Sequence, residues 1–164
     1  MASRRPPRLH LTLYTGFNRY LVTVCAFGRL ALLVSPPCFD LIRKQLLQSA
    51  GAQRFSVLAY CVMPDHLHLL VEGLAEDASL LPFVSEFKQR TGFAFKRLAG
   101  EPLWQDGFHD HILRADECVR SVARYLLENP VRAGLVRHPL EWPYLGSERY
   151  AWRELRESVG DTRG

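Results

Sequence analysis

His66 and His68 are one residue apart in the run Tyr60-Cys61-Val62-Met63-Pro64-Asp65-His66-Leu67-His68-Leu69-Leu70-Val71-Glu72-Gly73. Leu67, Leu69 and Val71 alternate with His66, His68 and Leu70, which is the pattern of an extended strand. A strand repeats every two residues, so both imidazoles project from one sheet face as neighbours. Two imidazoles on a rigid face make a two-point clamp for a divalent cation. An isolated His-x-His pair is more often structural, so a third ligand from elsewhere is needed.

Tyr125 and Asn129 can complete the clamp. They stand four apart on one helix and therefore share a face. If that helix crosses the histidine face, the Asn129 amide oxygen can be the third ligand and Tyr125 stands beside the cation. The set suits attack of a tyrosine oxygen on a phosphodiester. A phenol has a pKa near ~10, so at neutral pH only roughly one in a thousand is ionised, and it needs help as a nucleophile. A divalent cation neutralises the phosphate charge that repels it and stabilises the departing 3′ oxygen. Two neutral imidazoles and an amide bring no negative charge, which leaves the ion strongly Lewis-acidic. A rival cluster, Asp106, His109, Asp110 and His111, has no tyrosine attached to it by spacing.

The elements that must position these groups are legible in the hydrophobic pattern. Arg19 to Phe27, rich in β-branched and aromatic residues, reads as a first strand. Pro36-Pro37 introduces a helix from about Cys38 to Ala50, stopped by Gly51. Phe55–Val62 and His66–Glu72 form a hairpin around Met63-Pro64-Asp65. Ser79 caps a long helix to about Ala99, with Leu80, Val84, Phe87 and Phe95 as its apolar stripe. A fourth strand is placed from Phe108 to Arg114. Asp116 then caps a helix from about Glu117 to Glu128, which Pro130 ends. The order strand, helix, hairpin, helix, strand, helix predicts a ferredoxin-like antiparallel sheet of about four strands with helices on one face.

The 164 residues suit one domain, expected over 1–147 with a basic N-terminal arm, followed by a charged tail over 148–164. Hydrophobic residues at 48% and charged residues at 23% are ordinary for a soluble globular chain. No stretch is apolar for long enough to span a bilayer, and no signal-peptide pattern follows the basic start. The four cysteines, Cys25, Cys38, Cys61 and Cys118, are scattered, which predicts reduced, mostly buried thiols and a cytoplasmic setting. The net charge of +4 is compatible with a polyanionic partner. Basic residues gather at Arg4, Arg5 and Arg8, at Lys88, Arg90, Lys96 and Arg97, and at Arg114, Arg120, Arg124 and Arg132. Of these, Arg4, Arg5, Arg8, Lys88, Arg90, Lys96, Arg97, Arg124 and Arg132 are the candidate DNA contacts. Trp104, Phe108 and Trp142 are candidates for stacking on unpaired bases, although core packing is the commoner fate of such side chains.

The run from Tyr60 to Val71 resembles the histidine–hydrophobic–histidine signature of single-tyrosine HUH transposases, the IS200-like group. Arg124-Tyr125-Leu126-Leu127-Glu128-Asn129-Pro130-Val131-Arg132-Ala133-Gly134-Leu135-Val136 is similar to that family's tyrosine motif. The Asn-Pro-Val segment, Trp104 to His111 and Trp142-Pro143-Tyr144 resemble the REP-associated tyrosine transposase branch. The resemblance implies an HUH endonuclease core acting on single-stranded DNA, with imperfect-palindrome hairpins as substrate and Mg²⁺ or Mn²⁺ as cofactor. It implies His66, His68 and Asn129 as metal ligands, and Tyr125 as the nucleophile that leaves a 5′-phosphotyrosine and a free 3′-OH. Family members work as monomers or homodimers. Many relatives carry glutamine where this chain has Asn129. Two other readings compete: a non-catalytic single-stranded nucleic-acid-binding module on the same fold, and a metal-dependent hydrolase that uses water.

Overall fold

The computed structural model describes residues 10–151 and 154. The basic arm with Arg4, Arg5 and Arg8, and most of the charged tail, lie outside the described residues.

The chain runs β1 (Arg19–Cys25), α1 (Pro36–Ala52), β2 (Phe55–Val62), β3 (His66–Gly73), α2 (Leu80–Ala99), β4 (His109–Ile112), α3 (Val119–Leu127), α4 (Asn129–Arg132) and β5 (Leu145–Gly146). The strands form one sheet in the order β4-β1-β3-β2-β5, with every neighbouring pair antiparallel. This is the expected α+β, ferredoxin-like antiparallel sheet, with a short fifth strand added at one edge. The helices do not all lie on one face as expected, because the apolar side of α3 has its own cluster to cover on the other. β3 lies in the middle, hydrogen-bonded on both sides.

Alternation along the strands divides the core in two. Tyr20, Val22 and Val24 of β1 and Leu67, Leu69 and Val71 of β3 face α1 and α2. There they meet Ile42, Leu46, Phe83 and Phe87, and Phe55 stacks on Phe83 at 4.9 Å between ring centroids. Each such side chain removed from water contributes about 1.5–3 kcal/mol before entropy is counted. The opposite face carries Ala59, Cys61 and Leu70, covered by Ala123, Leu126 and Leu127 of α3. A register shift between Val57 and Ala59 turns Leu58 to this second face as well. So α1 and α2 share one face, while α3 takes the other, which is the face that carries His66 and His68.

Several boundaries differ from expectation: β1 ends at Cys25 rather than Phe27, α1 starts at Pro36 rather than Cys38, and β4 covers only His109–Ile112 of the expected Phe108 to Arg114. Three further differences have local reasons. α1 runs through Gly51 to Ala52, and the turn is made instead at Arg54, in the left-handed region at φ 57° with its guanidinium on Asp77 at 2.6 Å. α3 begins at Val119 after Cys118 rather than at Glu117 after Asp116, because Glu117 accepts the Arg114 backbone N–H and is held in the preceding turn. Pro130 interrupts the helix without ending it: lacking an N–H, it breaks the ladder, yet Arg132 N still donates to Glu128 O at 3.0 Å. Tyr125 and Asn129 thus remain one turn apart across the break. At the far end of β3, a Cβ on Gly73 would meet the Gly16 carbonyl oxygen, so only glycine fits there.

Candidate active site

The register of the sheet assembles the site. Cys25 of β1 lies opposite His66, and Thr23 lies opposite His68, which Cys61 of β2 flanks on its other side. Directly paired residues point to the same side, so Thr23, His68 and Cys61 form one row across the α3 face. The two imidazoles are perpendicular, with ring centroids 4.6 Å apart and Nε2 atoms 2.9 Å apart. Each ring's other nitrogen is held. His66 Nδ1 meets Asp65 Oδ1 at 2.7 Å, and His68 Nδ1 meets Thr23 Oγ1 at 3.0 Å. Asp65 is gripped in turn by Arg29 Nε at 3.0 Å. Arg29 and Gly28 both adopt left-handed backbone, φ 56° and 61°, which for arginine is uncommon.

The electrostatics favour a neutral imidazole at His68. Partial burial works against the Asp65 anion, but the hydrogen bond from His66 and the Arg29 charge hold its carboxyl below the usual range. An ionised Asp65 can only accept, so the hydrogen on His66 Nδ1 faces it, and Nε2 is the nitrogen turned to the space beside His68. Burial, then His66, Arg132 and Arg29, push His68 down to about 4. Beneath it, burial pushes the Cys61 thiol up to about 12, which makes it an inert part of the wall. Two ligand nitrogens ~2.1 Å from a common ion at right angles would lie ~3 Å apart, so the observed pair fits a shared cation. The held Nδ1 atoms are the orienting contacts that metal-binding histidines generally have.

Tyr125 is 60% exposed on the last turn of α3. The Arg132 guanidinium carbon lies 3.7 Å from its ring centroid. Arg132 Nη2 donates to the Tyr125 carbonyl at 2.6 Å and to Asn129 Oδ1 at 2.7 Å. α3 packs on the sheet face that carries the histidines, so the α3–α4 segment with Tyr125, Asn129 and Arg132 lies on the same side of the sheet as His66 and His68. The Arg132 charge acts on His68 and Cys61.

Other candidates are placed elsewhere. α2 covers the opposite sheet face, so Lys88, Arg90, Lys96 and Arg97 stand behind the sheet from the histidines. Lys88 Nζ donates to the carbonyls of Gln105 and Gly107 at 2.6 and 2.7 Å, and Arg90 pairs with Glu86 at 2.9 Å. Lys96 and Arg97 are exposed near the end of α2, and Arg124 is half-buried on α3. His109 and His111 lie on the histidine face, but both are exposed and His111 Nε2 is turned to Glu117 at 3.0 Å. Among the described residues no group of three or more His, Cys, Asp or Glu side chains could hold a metal, which argues against the rival cluster. Trp104 is buried with its indole N–H on Thr91 Oγ1, Phe108 is buried, and Trp142 donates to the Val62 carbonyl. All three serve the core. Two of the four cysteines, Cys38 and Cys61, are buried; Cys118 is exposed.

The sequence reading missed Thr23, Arg29 and the role of Asp65. Asp65 had a signal, an acid directly before the first histidine of the pair. Thr23 and Arg29 had none: the β1–β3 register brings Thr23 to His68, and the turn after β1 brings Arg29 to Asp65.

The family model described as "Transposase IS200 like" matches residues 20–129, from β1 through the tyrosine to the candidate amide ligand. The chain belongs to the IS200-like transposase family. An Escherichia coli REP-associated tyrosine transposase is 25% identical to this transposase over 118 residues, 71% of this chain and 69% of that one. A Haemophilus influenzae relative of the same designation is 26% identical over 124 residues, 69% of this chain and 70% of its own. Among solved structures, a REP-associated tyrosine transposase bound to a REP hairpin matches with a TM-score of 0.71 at 22% identity, covering 85% of this chain and 81% of that one. That last likeness is one of fold. The enzyme class read from the sequence, DNA cutting and strand transfer, is the class to which the family belongs. Among the described residues no helix is long and apolar enough to cross a membrane.

Proposed function

We propose that this transposase cuts and rejoins single-stranded DNA at repeat hairpins through a 5′-phosphotyrosine on Tyr125. The observation that supports this reading is a pair of Nε2 atoms 2.9 Å apart on the sheet face that α3 covers, with a tyrosine and an amide one helical turn apart on that helical segment. His66, His68 and Asn129 would hold Mg²⁺ or Mn²⁺. Such an ion would supply charge neutralisation at the scissile phosphate and at the departing oxygen. Tyr125 Oη attacks phosphorus, the P–O3′ bond breaks, and the phenolic proton is lost as the 3′ oxygen gains one. The phosphotyrosine conserves the bond, so an incoming 3′-OH reverses the step and joins a different end. Asp65 and Thr23 keep the imidazoles in place throughout.

The DNA arrives on a basic protein. Arg4, Arg5 and Arg8, with Lys96, Arg97 and Arg124, are the proposed phosphate contacts, while Lys88 and Arg90 are engaged within the fold. The fold neighbour's REP hairpin supports a hairpin ligand here. Such a substrate places the enzyme in the cytoplasm with the chromosome.

The test is a denaturing gel of the protein incubated with Mn²⁺ and hairpin oligonucleotides taken from the DNA flanking its own gene. A covalent protein–DNA band that needs metal and vanishes in Tyr125→Phe, with hairpin binding kept, is the expected result. Cleavage that leaves no adduct and survives Tyr125→Phe would instead mean a hydrolase. Tight binding without cleavage would favour a binding module.

A further inference from the structure

Arg132 was one of the candidate phosphate contacts, yet its guanidinium is used inside the site. It lies 3.7 Å from the Tyr125 ring centroid, and both hydrogens of Nη2 are spent, one on the Tyr125 carbonyl and one on Asn129 Oδ1. Glu128 Oε2, 3.7 Å from Nη1, partly offsets its charge.

We propose that Arg132 is a positioning residue that sets the nucleophile and the amide ligand together, stacking against the Tyr125 ring while aiming the Asn129 oxygen. This rests on the reading that Asn129 joins His66 and His68 at a cation and that Tyr125 attacks. The geometry explains both halves. An amide presents a carbonyl oxygen at one end and an N–H₂ at the other, and only the oxygen can accept from a guanidinium. Arg132 therefore fixes which end of Asn129 faces it and leaves one oxygen lone pair for a cation. A largely exposed tyrosine on a helix would otherwise move among rotamers, and the flat guanidinium selects one. Only arginine can do this. A lysine ammonium lacks the planar fork that stacks on a ring and donates to two oxygens at once. Asn129 is one methylene shorter than glutamine, so the tether also holds a short ligand in a defined direction.

Arg132→Lys and Arg132→Gln in the full chain test the assignment by three measurements: Mn²⁺ titration calorimetry without DNA, hairpin binding in EDTA across a salt series, and NMR of the Tyr125 ring, assigned with Tyr125→Phe. In both variants Mn²⁺ affinity should fall ~10-fold or more, as for lost orienting contacts elsewhere. The ring resonances should shift, and hairpin affinity and its salt dependence should stay unchanged. A phosphate contact would give the reverse: unchanged Mn²⁺ binding, a salt slope smaller by about one, and rescue by lysine. That result overturns the proposal, as does a lowered melting temperature with Mn²⁺ affinity within about twofold of the parent. If the parent's Mn²⁺ binding is absent or survives His66→Ala and His68→Ala, the cation reading has failed and the aiming role falls with it. The ring resonances then decide the Tyr125 half alone, and no shift overturns it.

Discussion

Thr23 Oγ1 lies 3.0 Å from His68 Nδ1, the nitrogen remote from His66, and reaches it from a strand 45 residues earlier in the chain. A hydroxyl both donates and accepts, so it supports either tautomer of the ring. When it accepts from Nδ1–H, the Nε2 lone pair is free to bind. Thr23→Val keeps the shape and removes that support. We expect Mn²⁺ affinity to fall ~10-fold or more in Thr23→Val and to be retained in Thr23→Ser. Calorimetric titration checks it, and an unchanged affinity in the valine variant would remove Thr23 from the site.

Acid should weaken the protein when metal is chelated. His68 sits at about 4 in the fold against an ordinary 6.5, chiefly through burial, with the His66, Arg132 and Arg29 charges adding to it. Its folded value is the lower one, so the unfolded chain takes up the proton first as pH falls. The associated stability is fully present above the unfolded value and is lost progressively between about 6.5 and 4. Thermal melts in EDTA through that window should show a falling midpoint, with a shallower fall in His68→Asn. Equal slopes for the two proteins would mean that His68 does not carry the effect.

Lys88 and Lys96 share a helix but should behave oppositely. The Lys88 ammonium ties two loop carbonyls, those of Gln105 and Gly107, whereas Lys96 is exposed. Lys88→Met should cost about 1–3 kcal/mol of stability by leaving buried acceptors unsatisfied. It should not alter the salt dependence of hairpin binding. Lys96→Ala should leave stability nearly unchanged and, if the end of α2 meets DNA, reduce the salt slope by about one. Denaturant melts and binding across a salt series check both. A reduced slope in Lys88→Met would return that residue to the DNA surface.

The parts legible in the sequence were those set by local periodicity. The ends of β2, the start of β3 and both ends of α2 fall where alternation and the helical stripe put them, because burial on one face dictates the pattern. The spacing of the candidate pairs was legible too, since His66 and His68 are related by one strand repeat and Tyr125 and Asn129 by one helical turn. What could not be read depends on long-range register or on competition for a charge. Thr23 reaches His68 only through β1–β3 pairing. Lys88 carries the same charge as Lys96, and nothing local says that two carbonyls of a later loop will claim it. Arg132 looked like one more surface cation until α4 carried it back over Tyr125.

The two halves of the site are anchored with unequal firmness. The histidines belong to the central strand, and freeing them means unpairing β3 from both β1 and β2. Tyr125 and Asn129 straddle a proline break at the periphery, on a helical segment held by one apolar cluster. Amide hydrogens around His68 should accordingly exchange only on global unfolding, while those after Glu128 exchange through local opening. On the proposed chemistry, the half that would carry the covalent DNA is thus the half with the weaker hold on the fold, while the metal-facing half is built into its centre.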